Sequence, residues 1–555
     1  MQLPSVNRGK KSKESGFRTP SFNRAWAVAL LLVILMVVTA VRVRLLDMPL
    51  ERDEGEYAYV GQLMLQGVPP YQEAYTMKWP GTAAMYALFM GLFGETAGVI
   101  HAGLILINLA TAVLVFFMAK RLLGDIAGVV AAGTYALLSI SPPIYGLAAH
   151  ATHFVVLPAV GGILLLLNLT YRTSRTRIFF AGLLLGISVL MKQPGIVFCL
   201  FAAVWLVWRE LSQPGRDWSR LVLHLAYLSL GGLVPFFVMC ALLIFSGTFD
   251  RFWLWTVAYA YDYVSLSTPA AGTKLLLERA GALFKAAPGL WSVAALGLLL
   301  LFCERSVRRF WFFVFAFSLF SFLAVCPGEY FRGHYFILLL PAAGLLAGVA
   351  AQAALQWMAR LRFSFHPAMS LLLIFTIASS WSLWKSRAIF FQLAPPEASR
   401  AIYEMNPFPE SVEISRYLAA HCPPDARIVV LGSEPQIYFY SHRRSATGFI
   451  YMYPLTESQP RAKSMQEEMI RDLENARPDY VVLINFMGSW TEQRNSDLSI
   501  LDWFDNYQQN LQLVGWFKIL PDGRTECQWT VPSGFVIPTG EKWLAVVFKN
   551  KKPPR

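Results

Sequence analysis

Long apolar segments separated by short polar stretches occupy most of the first 390 residues. The first extends from Ala25 to Leu46 and is apolar apart from Arg42 and Arg44 near its end. About 20 consecutive apolar residues cross the hydrocarbon core of a bilayer. Further segments follow at 97–118, 125–143, 153–169, 178–191, 195–209, 222–245, 287–303, 309–325, 334–355 and 367–388. This pattern predicts an α-helical polytopic membrane protein with about eleven transmembrane helices.

The basic residues indicate how these helices are oriented. Residues 1–24 form a basic tail, which predicts a cytoplasmic N-terminus. The short basic clusters between later segments, such as Lys120–Arg121, then all fall on the cytoplasmic side. One more apolar segment, Trp79 to Gly94, has only 16 residues, and counting it as a span would invert every later loop. We therefore predict a helix that lies in or dips into the outer interface.

The chain becomes more polar after residue 390. Arg427–Gly432 and Asp479–Asn485 read as short buried strands, and a helical stretch near 460–476 lies between them. Strand-like segments near 511–520 and 542–549 follow. An odd number of spans places this part of the chain outside the cytoplasm.

The protein is therefore predicted to lie in the plasma (inner) membrane of the cell. It is predicted to consist of a transmembrane domain followed by a soluble domain. The transmembrane domain covers 25–390 and includes a first outer loop at 47–96. The second domain, at 391–555, is a small extracytoplasmic α/β unit.

The composition agrees with a membrane protein and argues against a nucleic-acid partner. Hydrophobic residues make up 55% of the chain and charged residues 15%, whereas soluble domains carry roughly 25% charged residues. The net charge of +13 comes mainly from Lys and Arg between apolar segments, without a basic face interleaved with aromatic residues. The sequence contains no Walker A or Gly-rich nucleotide motif, which disfavours an ATP-driven pump or a nucleotide-sugar donor.

The first outer loop carries the densest group of acids, with four carboxylates between Glu51 and Glu56. One interpretation is a solvated acidic turn. The other is that one of these carboxylates acts as a general base, with its pKa raised by desolvation near the bilayer and by its like-charged neighbours.

Three cations and a histidine in other segments are candidate ligands for a phosphate. Lys78 either anchors the loop at the interface or binds phosphate. Lys192 interrupts an apolar segment, where a cation usually serves a polar site. Arg332 can bind phosphate oxygens through two nitrogens, and His334 either donates to the same group or caps a helix. All four fall on the predicted outer side.

His150 and His153 form a weaker candidate, for a metal site. Their i, i+3 spacing places them on one face of a helix. Because no HExxH motif or other ligand set accompanies them, interfacial histidines are the preferred interpretation.

The order of these motifs resembles that of GT-C-type membrane glycosyltransferases, in the branch of protein O-mannosyltransferases and aminoarabinose transferases. The resemblance rests on Asp53-Glu54, Tyr57, Gly67 and Lys78-Trp79-Pro80, on the Gly182–Gly195 stretch, and on His334-Tyr335-Phe336. It covers roughly 25–390 and implies a GT-C-like transmembrane domain.

The family implies an inverting glycosyltransferase that moves a hexose or pentose from a polyprenyl-phosphate carrier to a lipid, glycan or protein acceptor at the outer face. Carried over, Asp53 is the base, Glu54 shapes the site, and Tyr57 and His334 belong to the substrate-binding set. Lys78 would hold the donor phosphate, with Lys192 and Arg332 as supporting cations. No cofactor is fixed: a divalent metal is one option, although Met77 replaces an acid found in some relatives. Glu56 replaces a basic residue of aminoarabinose transferases, which disfavours that sugar.

Two other functions compete with this one. A transporter or flippase of a lipid-linked glycan would use the same cations, but such proteins usually contain inverted repeats, and the sequence shows none. A non-catalytic scaffold would leave Lys192 and the clustered acids without a purpose, since charges near the membrane are costly.

Overall fold

The computed structural model describes residues 24–167, 174–213, 215–265, 269–361, 367–522, 524–529, 531–532, 535, 537 and 540–551. The basic tail predicted for the N-terminus lies, up to residue 23, outside these described residues. Within these ranges the chain is mostly helical, and a single mixed sheet lies near the C-terminus.

Seventeen α-helices precede residue 390 in the described ranges. They are α1 (Arg24–Arg44), α2 (Arg52–Leu65), α3 (Gly81–Phe93), α4 (Ala97–Leu123), α5 (Asp125–Leu138), α6 (Ala151–Leu167), α7 (Arg175–Met191), α8 (Ile196–Leu211), α9 (Trp218–Phe245), α10 (Phe249–Trp253), α11 (Ala260–Ser265), α12 (Pro269–Ala286), α13 (Pro288–Cys303), α14 (Arg305–Arg308), α15 (Trp311–Leu323), α16 (Leu340–Arg360) and α17 (Pro367–Lys385).

The molecule is a multi-pass membrane protein. Among the described residues, six helical segments are long and apolar enough to span a membrane, or seven if the bent pair α12–α13, with a 113° angle, forms one span. Helices α3, α5, α6 and α15 are apolar but shorter. Each of the eleven predicted segments contains a helix, but because several are short, the number of spans stays a prediction. Helix α5, for example, ends at Leu138, shortly before Pro142 and Pro143, because consecutive prolines cannot continue a helix.

The helix predicted at 79–94 is present as α3, and it packs directly on the end of α7. A Cβ atom on Gly81 would lie 2.4 Å from the carbonyl oxygen of Leu190. Next to it, Thr82 Oγ1 donates a hydrogen bond of 2.9 Å to the Met191 carbonyl. Because Gly81 permits this close approach, the segment that carries Lys78 lies beside the segment that carries Lys192.

The C-terminal part contains the strands and the helix predicted there. The helices are α18 (Pro395–Tyr403), α19 (Phe408–His421), α20 (Gln436–Ser441), α21 (Tyr453–Thr456), α22 (Ala462–Ala476), α23 (Met487–Trp490) and α24 (Ser499–Tyr507). The strands are β1 (Arg427–Leu431), β2 (Arg444–Ser445), β3 (Tyr480–Ile484), β4 (Leu511–Ile519), β5 (Thr525–Trp529) and β6 (Trp543–Asn550).

The sheet has the order β2-β1-β3-β6-β4-β5. Strand β1 is parallel to β2 and β3, whereas β6 is antiparallel to β3 and β4. The prediction lacked β2 and β5, because β2 has two residues and β5 alternates exposed polar residues with half-buried ones.

The first loop of the transmembrane part and the C-terminal part share a hydrophobic core. Tyr57 and Tyr59 of α2 belong to the same buried cluster as Ile428 of β1 and Ile437 of α20. At its edge, Arg52 Nη2 forms a buried ion pair of 2.7 Å with Glu434. The C-terminal part therefore helps to fix α2, the helix that begins beside Asp53.

Candidate functional site

Helix α2 holds Asp53 in its first turn through a reciprocal cap. The Glu51 side chain accepts a hydrogen bond of 2.9 Å from the Glu54 amide, and the Glu54 side chain accepts one of 3.1 Å from the Glu51 amide. This capping box satisfies two amides that the helix itself leaves free. It leaves the Asp53 side chain available for other contacts.

Asp53 and the three predicted cations line one cavity of about 240 Å³. Lys78 comes from the loop after α2, Lys192 from the break between α7 and α8, and Arg332 from the segment before α16. The convergence predicted for these distant segments is therefore present. The other lining residues are Glu56, Tyr75, Thr76, Met77, Thr152, Gln193, Pro194, Trp255, Thr256, Tyr259, Ala260, Tyr263, Val264, Ala324, Pro327, Gly328, Tyr335, Leu338, Tyr451, Tyr453 and Pro454.

Lys78 is bound by two acids of α2. Its Nζ lies 2.7 Å from Asp53 Oδ1 and also forms an ion pair with Glu56, which in turn accepts a hydrogen bond from Thr76. The ammonium group lies 4.7 Å from the centre of the Tyr57 ring. Asp53 and Glu56, three residues apart, share one face of α2, so the second acid is visible in the sequence once the helix is known.

Lys192 and Arg332 have no acidic partner at ion-pair distance among the described residues. Lys192 Nζ lies 4.4 Å from the centre of the Tyr335 ring. Arg332 Nη2 donates to the Tyr263 hydroxyl at 3.3 Å. Burial lowers the pKa of Lys192 to about 8, because desolvation disfavours the charged form. These two cations, rather than Lys78, are therefore the ones poised to meet an anion.

The acids of the first loop differ from the prediction in their ionisation. Burial raises the pKa of Asp53, but Lys78, His334 and His150 outweigh it and hold that pKa well below its ordinary value. Burial and the neighbouring charges of Asp53 and Glu54 instead raise the pKa of Glu51 well above its ordinary value. The upward shift expected of the base thus occurs at Glu51, which caps the helix, and Asp53 is ionised.

The structure does not place Glu54 at the cavity. Its Oε1 lies 3.0 Å from His101 Nε2 and accepts a hydrogen bond of 2.5 Å from the Ala149 amide. Glu54 is fully buried, so it holds α2 against neighbouring segments and does not face a substrate. Tyr57 also lies outside the cavity lining, beneath Lys78.

His334 and His150 flank the other oxygen of Asp53. Asp53 Oδ2 lies 3.7 Å from His334 Nε2 and 3.9 Å from His150 Nδ1, and the two rings stack with centres 4.1 Å apart. One donor atom from each of the three residues lies within 4.8 Å of the others. His153, the other predicted metal candidate, is not part of this group.

The donor set fits a divalent transition metal. Imidazole nitrogens and a carboxylate are typical zinc ligands, and three protein ligands leave a position open. Both ring nitrogens of His150 are buried without a hydrogen-bond partner among the described residues, which is unusual for a buried polar group. Met77, which replaces an acid found in some relatives, therefore does not exclude a metal, because the ligands come from other segments.

One wall of the cavity is aromatic, and its residues were not predicted from the sequence. Trp255, Thr256 and Tyr259 all come from one π-helix, Leu254–Tyr259, between α10 and α11. Such π-helical turns occur frequently at functional sites. Tyr451 and Tyr453 come from the C-terminal part. The aromatic spacing at 255, 259 and 263 was a visible signal, but it is also typical of a helix in the membrane interface.

One segment of the chain matches a known family. Residues 77–245, which include Lys78 and Lys192, match the sequence model described as dolichyl-phosphate-mannose-protein mannosyltransferase. No curated protein matches the sequence significantly.

The fold is similar to that of two solved membrane proteins. ArnT from Cupriavidus metallidurans, solved bound to undecaprenyl phosphate, is 14% identical, with a TM-score of 0.54 over 95% of this chain and 98% of ArnT. The Archaeoglobus fulgidus oligosaccharyltransferase, solved in complex with zinc and sulfate, is 14% identical, with a TM-score of 0.50 over 93% of this chain and 74% of the other. At this identity the similarity concerns the fold alone. The resemblance to GT-C-type membrane glycosyltransferases is therefore confirmed, in sequence over 77–245 and in fold over nearly the whole chain.

Proposed function

We propose that the protein is an inverting glycosyltransferase that moves a sugar from a polyprenyl-phosphate carrier to an acceptor hydroxyl at the outer face of the membrane. The observation that carries the proposal is the cavity in which the ionised Asp53 faces Lys192 and Arg332. A base and two free cations are what displacement of a lipid phosphate by a hydroxyl requires.

The donor phosphate binds between Lys192 and Arg332. Neither has an ion pair among the described residues, and burial makes a charged partner favourable for both. The Arg332 guanidinium can donate hydrogen bonds to two phosphate oxygens at once. Lys78 keeps Asp53 and Glu56 in place, so it acts mainly on the base. This assigns the phosphate to the residues predicted as supporting cations.

Asp53 accepts the proton of the acceptor hydroxyl as that oxygen attacks the anomeric carbon. The bond from this carbon to the phosphate oxygen breaks, and the polyprenyl phosphate leaves with the bonding electrons. Attack from the side opposite the leaving phosphate inverts the configuration. Lys192 and Arg332 stabilise the charge that develops on the phosphate. ArnT, with the same fold, was solved with undecaprenyl phosphate, which supports a polyprenyl carrier.

Asp53, His150 and His334 would hold a divalent metal if one binds. The ion would polarise the acceptor oxygen and lower the pKa of its hydroxyl. The Archaeoglobus protein, solved with zinc, supports testing zinc first.

Transfer of labelled sugar tests the proposal. The protein, in proteoliposomes, is incubated with a panel of undecaprenyl-phosphate sugars and membranes of its source organism as acceptor. We expect one labelled sugar to enter the acceptor fraction with release of lipid phosphate, and Asp53→Asn to lose transfer while folding normally. A flippase would instead move the lipid across the bilayer without cleaving it, and a scaffold would do neither; either result rejects the proposal.

A further inference from the structure

The C-terminal part holds the aromatic wall of the cavity through three polar contacts. Arg251 forms an ion pair of 2.9 Å with Glu468, and Asp262 forms one with Arg461. Between them, the Tyr259 hydroxyl donates a hydrogen bond of 2.7 Å to Glu457. The two ion pairs are partly exposed, and exposed pairs contribute little. The Tyr259–Glu457 contact is buried on both sides.

Glu457 is an unusual residue for this position. Its exposure is only 5%, and it forms no ion pair among the described residues. A buried carboxyl group without a cation costs free energy, and burial raises the pKa of Glu457 to about 7. Packing alone would be satisfied by an apolar residue here. The acid is thus better explained by the hydrogen bond that it accepts from Tyr259.

The groups that Glu457 faces belong to the cavity. Tyr259 lines it, and the Tyr259 ring lies 6.3 Å from that of Tyr263. The Tyr263 hydroxyl accepts the hydrogen bond of Arg332, and Arg332 also interacts electrostatically with Glu457. Glu457 follows α21, whose Tyr453 and Pro454 form part of the lining. One short segment therefore contributes to the cavity lining and also contacts Tyr259, another lining residue.

We propose that Glu457 is a positioning residue, which accepts the Tyr259 hydrogen bond and thereby keeps Tyr259 and the adjacent Arg332 oriented toward the donor phosphate. The inference rests on the proposed function, because it takes Arg332 as a phosphate ligand. It makes the C-terminal part a component of the donor site, in addition to its contacts with α2.

Binding of tritiated undecaprenyl phosphate to the full chain in phosphatidylcholine nanodiscs tests the inference. The assay is run at pH 6, below the pKa of about 7 of Glu457. At this pH the carboxyl group is mostly protonated and therefore uncharged, like the amide of Gln. We expect Glu457→Ala and Tyr259→Phe each to weaken binding by roughly three- to tenfold, the value of one hydrogen bond. Glu457→Gln keeps an acceptor oxygen and should bind within about twofold of the unsubstituted protein.

A matched control is Glu541→Gln, since Glu541 pairs with Lys518 on the distant strand β4. It should bind normally. If Glu457→Ala and Tyr259→Phe bind normally while Arg332→Ala does not, the inference is wrong and the proposed function stands. If Glu457→Gln is as weak as Glu457→Ala, a positioning hydrogen bond is also excluded. Absence of binding by the unsubstituted protein would overturn the proposed function and the inference together.

Discussion

Lys78 Nζ, in the loop before α3, lies 2.7 Å from Asp53 Oδ1 of helix α2 and also forms an ion pair with Glu56 of the same helix. The pair helps to keep Asp53 ionised although desolvation of the half-buried carboxylate raises its pKa. Lys78, the cation that the family motifs would assign to the phosphate, is therefore already paired with acids. The proposed function therefore assigns the phosphate to Lys192 and Arg332, which come from segments after residue 190.

Removing the Lys78 charge should change the acidity of Asp53. In Lys78→Met, burial is no longer opposed by the nearest cation, so the pKa of Asp53 rises. Because the base acts when ionised, the acidic limb of the pH–rate profile should move upward by about one to three pH units. The profile of labelled-sugar transfer between pH 4 and 9 measures this shift. Lys78→Arg, which keeps the charge, is the control, and an unshifted limb in Lys78→Met would show that Lys78 does not set the acidity of the base.

Donor affinity should depend on the protonation of Lys192. Its pKa is lowered to about 8 by burial, so above that pH the free protein loses a cation that the phosphate needs. The second ionisation of a phosphate monoester lies near pH 6, so the charge of undecaprenyl phosphate changes little between pH 7 and 9. Affinity should fall by up to about tenfold per pH unit above about 8. Lys192→Arg should bind with little pH dependence, and a similar fall in that variant would assign the dependence to another group.

Metal content should follow His150 and not His153. If Asp53, His150 and His334 bind an ion, protein equilibrated with zinc and desalted should retain about one ion per chain. Inductively coupled plasma mass spectrometry then gives the stoichiometry. His150→Ala should lose the ion, whereas His153→Ala, which removes an equally buried histidine outside the group, should retain it. Equal metal content in both variants would argue against this site.

The close approach at Gly81 should be needed for both stability and transfer. Gly81→Ala places a methyl group 2.4 Å from the Leu190 carbonyl, so α3 must move away from α7 and carry Lys78 with it. Overpacking of this kind costs about 1–3 kcal/mol, and thermal unfolding followed with a thiol-reactive dye should show the loss. Gly281→Ala is the control, since no atom lies within 4 Å of a Cβ there. Equal melting temperatures of the two variants would contradict the packing described.

Part of this site was predictable from the chain and part was not. The apolar segment lengths and the position of basic clusters indicated the helices, and a charge beside a membrane segment is costly enough to mark Asp53, Lys78, Lys192 and Arg332. Which cation pairs with which acid depends on a helical face that brings Glu56 beside Lys78. Distances between segments more than 100 residues apart decide the rest, and no local pattern records them.

The contribution of the C-terminal part is the clearest example. Glu457 and Tyr259 lie in segments of ordinary composition, 198 positions apart. Only the tertiary structure brings them into contact. In the same way, Glu54 matches a family motif, but its side chain is turned toward His101. Its oxygens also accept hydrogen bonds from the Glu51 amide, as part of the α2 cap, and from the Ala149 amide.

The most direct measurement is a cryo-EM map of the protein in nanodiscs with undecaprenyl phosphate. Density for the phosphate should lie within hydrogen-bond distance, about 3 Å, of Lys192 Nζ and the Arg332 guanidinium, with Asp53 and Lys78 still paired beside it. Phosphate density bound to Lys78 in place of Asp53, or lying outside this cavity, would contradict the proposed arrangement of donor and base.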